Sequence, residues 1–477
     1  MFFSRWWQDR PLVSFFFTSF LYEGVMEKDI SLPYEVVILW WGLSWLTAAL
    51  TIIDKRPKTR ICILEGKKRM WGRVWSQKMK KDLYAELGAE WIGKNDTYLL
   101  DLCKRFLLQL IPHDFDREVV EHGTRVHVHR HHHITMRLPK KYQTKLNTFL
   151  AQFSWHTDTR ILAYDSVSLE DLFFQIFGWD SDSYEFEDLL ESNEFAEDVK
   201  SVSAANYIMY KLQGWGSDGM DFKIAGGNDV LTKALTLYLK NKGVHFFTDT
   251  RVNEVSKLKS HFAVMSKNKT FFWDQLICAL PIKAIGQIVW KPWLPQEKMR
   301  YINSIPYGRV TKRGAMTKDS LPEKMWLCDD TVLHTLYNAG RGQRVKKWGL
   351  LWLYASWDRA MILSKWSDKH FAESIKKHHP HIRCDSKNTY GYYRWNDPFT
   401  HGAFATYPAG TLFSGIKALA ASVGSMHFCG EHTSLYHQGF MNGAVESGIT
   451  AGTKVLRLCT KNKPTLPKKP LKRKAPK

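Results

Sequence analysis

Trp40-Trp41-Gly42-Leu43-Ser44-Trp45 stands between a short apolar run, Glu35 to Leu39, and a helical stretch, Leu46 to Ile53. In that place a Gly-x-Gly-x-x-Gly pattern binds a dinucleotide. Its first glycine permits the turn, its second lets backbone approach the pyrophosphate, and its third lets helix and strand pack closely. Only the middle one, Gly42, is present; Trp40 and Trp45 occupy the outer positions. A second apolar run, Arg60 to Leu64, ends in Glu65, an acid placed to bind the ribose hydroxyls of an adenosine. Arg69-Met-Trp-Gly-Arg73 follows, where Arg73 offers charge for a pyrophosphate and Gly72 offers close backbone approach. Strand, turn, helix, strand and acid together open a dinucleotide-binding unit, although its fingerprint is degraded.

Other chemistries find less support. Alternation puts His127, His129, His131 and His133 on one strand face, with Arg130 and His132 on the other. Zinc needs converging ligands in a closed first shell, Arg130 opposes a metal charge, and no metal is expected. A Gly-x-Ser-x-Gly elbow for nucleophilic hydrolysis is absent. The seven cysteines are scattered without a CxxC pair, as reduced thiols of a cytoplasmic protein would be.

The elements that position these residues alternate along the chain. Gly226-Gly-Asn-Asp229 caps a helix to about Lys240, Val244 to Phe247 is a strand that continues at Val252 to Val255, and Phe271 to Leu280 is another. The expected organisation is an N-terminal extension (1–33), a nucleotide-binding domain in three pieces (34–94, 221–283 and 400–458), a substrate domain in two insertions (95–220 and 284–399), and a basic tail (459–477). At 477 residues, more than one core is required.

Lys+Arg 68 against Asp+Glu 47 gives a net charge of +21, part of it in the tail. Lys461 to Lys477 holds eight basic residues, four prolines and no acid, so it should stay extended. It reads as a solubilising tail, and contact with an anionic surface is the sharper reading. Arg5 and Arg10 precede an apolar run, Pro11 to Tyr22, that looks like a signal segment but is too short to cross a bilayer.

Five blocks, in order, resemble the flavin-containing amine oxidase family of monoamine, polyamine and L-amino acid oxidases. They are Val36 to Ala49, Glu65 to Ser76, Glu86 to Gly93, Gly226 to Leu235, and Phe428-Cys-Gly-Glu-His-Thr433 continuing into Gly439 to Gly448. The resemblance implies an α/β fold: a Rossmann-like FAD-binding domain of discontinuous segments with an inserted α+β substrate domain. It implies that Glu65 holds the adenosine ribose, Val252 lies by the adenine, and Arg73 lies near the pyrophosphate. Gly42 and Gly72 would allow close approach, Gly88 and Ala89 would lie against the isoalloxazine, and Gly430 and Glu431 would approach the pyrophosphate and ribityl chain. Met441 would line the flavin's pyrimidine side.

Lys312, in Pro306 to Lys312, matches the family lysine that contacts flavin N5 through water. Phe404 and Phe440 match two aromatic residues that flank the substrate amine. Ala403 stands where some relatives carry a flavin-linking cysteine, so the FAD is expected to be non-covalent.

The implied activity is oxidation of the C–N bond of an amine or amino acid, with oxygen as acceptor and hydrogen peroxide as product. The departures Trp40, Trp45 and Trp71 leave a flavin-free homologue with an interaction or scaffold role as the alternative. On steric grounds FAD occupancy should be incomplete and should rise when these tryptophans become glycine.

Overall fold

The computed structural model describes residues 34–39, 42–68, 72–79, 83–121, 124–128, 140–178, 191–213, 220–257, 262–267, 269–329, 331–343 and 347–461. The expectations for residues 1–33, Trp40, Trp41, Trp71, His129 to His133 and the tail beyond Lys461 lie outside the described residues.

Two large sheets carry the molecule. The first contains β1 (Tyr34–Leu39), β2 (Ile61–Leu64), β3 (His245–Phe247), β4 (Val252–Lys257), β5 (Phe262–Ser266), β6 (Thr270–Cys278), β7 (Val289–Lys291) and β8 (Met426–Phe428). Its order is β7-β4-β5-β6-β1-β2-β3, with β8 paired to β6. Strands from all three segments assigned to nucleotide binding share this sheet; β7 joins it from beyond the expected boundary at residue 283.

β1 pairs in parallel with β2 and β6, in the registers Val36↔Ile61 and Val36↔Gln275. Val36, Val37, Ile38 and Leu39 are fully buried, as a parallel strand covered on both faces requires. α1 (Leu43–Lys55) follows β1, α2 (Asp229–Asn241) precedes β3, and α3 (Met441–Lys461) closes the described chain. α1 and α3 meet through glycine. A Cβ on Gly448 would lie 1.9 Å from the Ser44 carbonyl oxygen, and one on Gly452 would lie 2.8 Å from that of Ala48.

Trp45 departs from the expectation of an obstructed phosphate site. Its indole is fully buried in the core with Val36, Ile38, Leu231 and Leu235, and its ring meets Phe246 edge-on at 6.4 Å. The bulk that replaces the fingerprint's third glycine is absorbed between α1, α2 and β3.

The second sheet is ordered Cys384–Tyr393, Val310–Thr317, Gly349–Ser356, Thr335–Asn338, Met325–Asp329, Asp116–Glu121 and Thr124–Val128. Strand Val310–Thr317 is buried along its whole length, which carries Lys312 inside. Among the described residues no helix is long and apolar enough to cross a membrane, and no group of three or more His, Cys, Asp or Glu is placed to hold a metal.

Candidate active site

The main cavity lies where the carboxyl end of β1, the N-termini of α1 and α3, and the second sheet converge. Gly42, Leu43 and Ser44 line it. The N-cap of α1 is Gly42, with extended backbone, no side-chain cap hydrogen bond and no acid in the first turn. First-turn N–H groups without a side-chain cap, opening on a cavity, form a cradle for phosphate oxygens. Gly439 and Met441 line the opposite end, at the entry to α3. Gly439 has φ +80°, where a Cβ would be strained.

Arg73 bridges the two ends. Its Nη1 donates to Glu431 Oε1 at 2.6 Å and to the Ala403 carbonyl at 2.9 Å, while Glu431 Oε2 accepts the Gly439 N–H at 3.0 Å.

A second cavity lies beyond the end of β2. Leu39, Leu64, Gly66, Val252 and Phe399 are among its walls. Glu65 is buried between two of them in sequence; its Oε1 accepts the Lys67 N–H at 2.6 Å. An apolar slot walled by the residues on either side of this acid suits an adenosine. Together with the uncapped α1 terminus, it makes the chain fit an extended dinucleotide such as FAD.

Behind Gly88 and Ala89, which line the main cavity, lies a buried polar network. Lys312 Nζ donates to Glu90 Oε2 at 2.5 Å, to the Gly88 carbonyl at 3.0 Å and to the Glu86 carbonyl at 3.2 Å. Glu90 also accepts from His113 Nε2 at 2.9 Å and from the Tyr337 hydroxyl at 2.6 Å. Burial pushes the Glu90 carboxyl up, but Lys312, His113 and Lys223 outweigh it and hold the group well below the usual carboxylate range. Burial, with Lys223 nearby, holds His113 down at about 4, so its imidazole is neutral and gives Glu90 its Nε2–H. Burial raises Glu86 to about 7 against the hydrogen bonds from Ser76 and Asn228.

Lys312 therefore lines the cavity while its three N–H groups are directed at protein oxygens. In this arrangement it clamps the Glu86–Glu90 segment to the second sheet instead of presenting a donor to the cavity.

Phe404 and Phe440 both line the cavity. Phe440 stacks on Tyr210 at 6.4 Å and 21°, and a Cβ on Gly439 would touch the Phe404 ring at 3.5 Å. The cavity gathers Gly42, Arg73, Gly88, Ala89, Lys312, Phe404, Glu431, Phe440 and Met441 from the sequence expectations, and Val252 goes to the second cavity. Gly72 has φ +57° and Gly430 has φ +137°; each adjoins a wall residue, Arg73 and Glu431, without itself being on a wall. The sequence reading passed over Glu90, His113, Lys223 and Tyr337. Only Glu90 stood in a recognised block, and the other three come from separate segments.

Parallel strands delivering helix N-termini to a cavity roofed by a second sheet define a two-domain, Rossmann-type cofactor enzyme. The family model for flavin containing amine oxidoreductases matches residues 43–456, and the chain belongs to that family. FAD-dependent oxidation of an amine or amino-acid C–N bond, with oxygen as acceptor, is the activity typical of the family. Flavin-containing amine oxidase A of Equus caballus is 21% identical over 454 residues, covering 89% of this chain and 85% of its own. L-amino-acid oxidase of Siganus canaliculatus is 22% identical, covering 89% and 86%. A putrescine oxidase solved with putrescine bound has a TM-score of 0.77 at 16% identity, covering 89% of this chain and 99% of its own, a likeness of fold.

Proposed function

We propose that this chain binds FAD non-covalently and oxidises the C–N bond of an amine at the Phe404–Phe440 end of the main cavity. The observation that carries this reading is the convergence in one cavity of the uncapped α1 terminus, the Gly88–Ala89 segment, the α3 entry and the two phenylalanines. When bound, FAD supplies the ring that accepts the substrate's electrons and passes them to oxygen, giving hydrogen peroxide.

The chain's own residues bind, orient and dry the site. α1 N–H groups and Arg73 hold the pyrophosphate, and Glu65 and Val252 hold the adenosine. Gly88 and Ala89 let the ring approach the backbone, and the Lys312–Glu90 clamp keeps that segment fixed. Phe404 and Phe440 keep water from the amine, which favours its neutral form, and orient its carbon.

Purified native protein titrated with FAD, then offered amines with hydrogen peroxide as the readout, tests this. Saturable FAD binding with amine-dependent peroxide is the expected result. Protein that folds and binds no FAD is a flavin-free homologue, and the proposal falls.

A further inference from the structure

β1 and β2 turn their carboxyl ends, Leu39 and Leu64, toward the second cavity, and β3 runs parallel to them. Their amino ends form the opposite pole of the first sheet. Three helices end at that pole. Asp54, in the last turn of α1, accepts from both terminal nitrogens of Arg105 at 2.6 and 2.8 Å and from the Tyr238 hydroxyl of α2 at 3.3 Å. The C-terminal ends of α1, of helix Thr97–Arg105 and of α2 are thereby fastened together. Gly448 and Gly452 set α3 parallel to α1, so α3 ends on this side as well.

Lys55, Arg56, Lys58 and Arg60 lie on the turn from α1 to β2, Lys104 and Arg105 end helix Thr97–Arg105, and Lys240 and Lys242 lie at the end of α2. Against these eight cations stand four acids, Glu35, Asp54, Asp101 and Asp274. Asp54 is taken by Arg105, and Glu35 accepts the Arg60 backbone N–H at 2.9 Å. Lys55, Lys58, Lys104, Lys240 and Lys242 are exposed, and among the described residues none of them forms an ion pair. Helix C-termini carry only about half a negative charge each, so positive charge remains in excess.

Apolar side chains stand among these cations. Leu107 is 92% exposed and holds φ +54°, a backbone region that favours glycine. Leu237, 61% exposed, precedes Tyr238 on α2. Phe106 meets Tyr238 edge-on at 5.8 Å, so the two leucines flank one aromatic contact.

We propose that this pole is a docking surface for an anionic lipid bilayer, with its cations on headgroup phosphates and Leu107 and Leu237 entering the interfacial layer. The inference goes beyond the oxidase reading and needs no cofactor. A negatively charged leaflet attracts clustered lysines and arginines, and apolar side chains between them gain by leaving water. A polynucleotide would use the charge but not the leucines. It also stacks its bases on open aromatic faces, whereas Phe106 and Tyr238 face each other and the nearby cations. Docking at this pole turns the second cavity away from the bilayer. The basic sequence that follows Lys461 starts on the same side, at the end of α3.

Full-length protein is floated with phosphatidylcholine vesicles, with and without about 30 mol % phosphatidylserine, at about 0.1 M salt. It should bind only the anionic vesicles and leave them at high salt. Each cation near such a surface contributes about fivefold to partitioning, so Lys58→Ala with Lys104→Ala and Lys242→Ala should weaken binding on the order of a hundredfold. Leu107→Gly relieves the backbone, so it should lower vesicle affinity severalfold while thermal stability stays equal or rises, which damage to the fold would not produce.

Equal binding to both vesicle types, or none to either, overturns the proposal. So does unchanged affinity in the triple variant; if deletion of residues 462–477 then abolishes binding, the tail alone is the contact. Salt-sensitive binding of a nucleic-acid duplex without vesicle binding overturns it in favour of a polynucleotide surface.

Discussion

Lys312 and Glu90 show how one residue's chemistry depends on another that sequence spacing does not single out. Both are buried, and Glu90 has three donors on its carboxylate. Removing one partner of such a pair leaves a buried charge uncompensated and costs about 3–5 kcal/mol. Lys312→Met should therefore lower stability by that order, and Lys312→Met with Glu90→Gln should recover part of it. Denaturant unfolding of the two single variants and the double variant measures the coupling; strictly additive losses would remove the clamp from the argument. In FAD-loaded protein, Lys312→Met should also slow reoxidation, followed by stopped-flow after anaerobic reduction, because the Gly88 backbone it holds is released.

Trp45 belongs to the core rather than to the cavity wall. Its fully buried indole fills core space, so Trp45→Gly should cost about 4 kcal/mol through the cavity it leaves, without improving cofactor access. Trp40→Gly with Trp71→Gly is the combination expected to raise FAD affinity. Fluorescence titration beside thermal unfolding separates the two effects.

Among elements, the contact of α1 with α3 sets the cofactor cradle. The close approach is made on α3, where Gly448 and Gly452 face the α1 carbonyls of Ser44 and Ala48. Replacing Gly448 by valine puts side-chain atoms where a Cβ alone would lie 1.9 Å from the Ser44 carbonyl oxygen. Overpacking of this kind costs about 1–3 kcal/mol and here displaces the first turn of α1. We expect weaker FAD binding at unchanged occupancy of the substrate end, read as a higher Kd for FAD with the KM of the holoenzyme preserved. An unaltered FAD Kd in a folded Gly448→Val protein would detach the α1 terminus from cofactor binding.

Across the whole molecule, buried histidines govern acid stability. Burial holds His113, His427, His432 and His437 each at about 4, below the roughly 6.5 of an unfolded histidine. Between those values the unfolded chain binds more protons, so these groups make stability rise with pH. Glu86 and Asp96, each raised by burial to about 7, act in the opposite sense between about 4 and 7. Among the described residues the lowered histidines outnumber the two raised carboxyls, so near pH 5.5 unfolding takes up protons and stability rises with pH. The Tm should fall steeply as pH drops from 6.5 to 5, and a flat profile there would show that these imidazoles are not kept neutral.

Phe404 and Phe440 were singled out by the family resemblance, whereas local sequence was enough for the strand–helix–strand opening and the acid that ends β2. These features depend on hydrophobic period and on residue types at short spacing, which the chain carries in one stretch. The mixed α/β character and the return of distant segments to one sheet were legible for the same reason, since each strand has its own apolar run. Tertiary packing alone decided that Trp45 enters the core, because the volume that receives it is built by α2 and β3 from a segment nearly two hundred residues away. It also decided that Lys312 meets Glu90 and that His113 and Tyr337 complete the network. Coulomb and desolvation energies depend on distance and burial in space, and neither quantity exists until the separate segments have closed around one cavity.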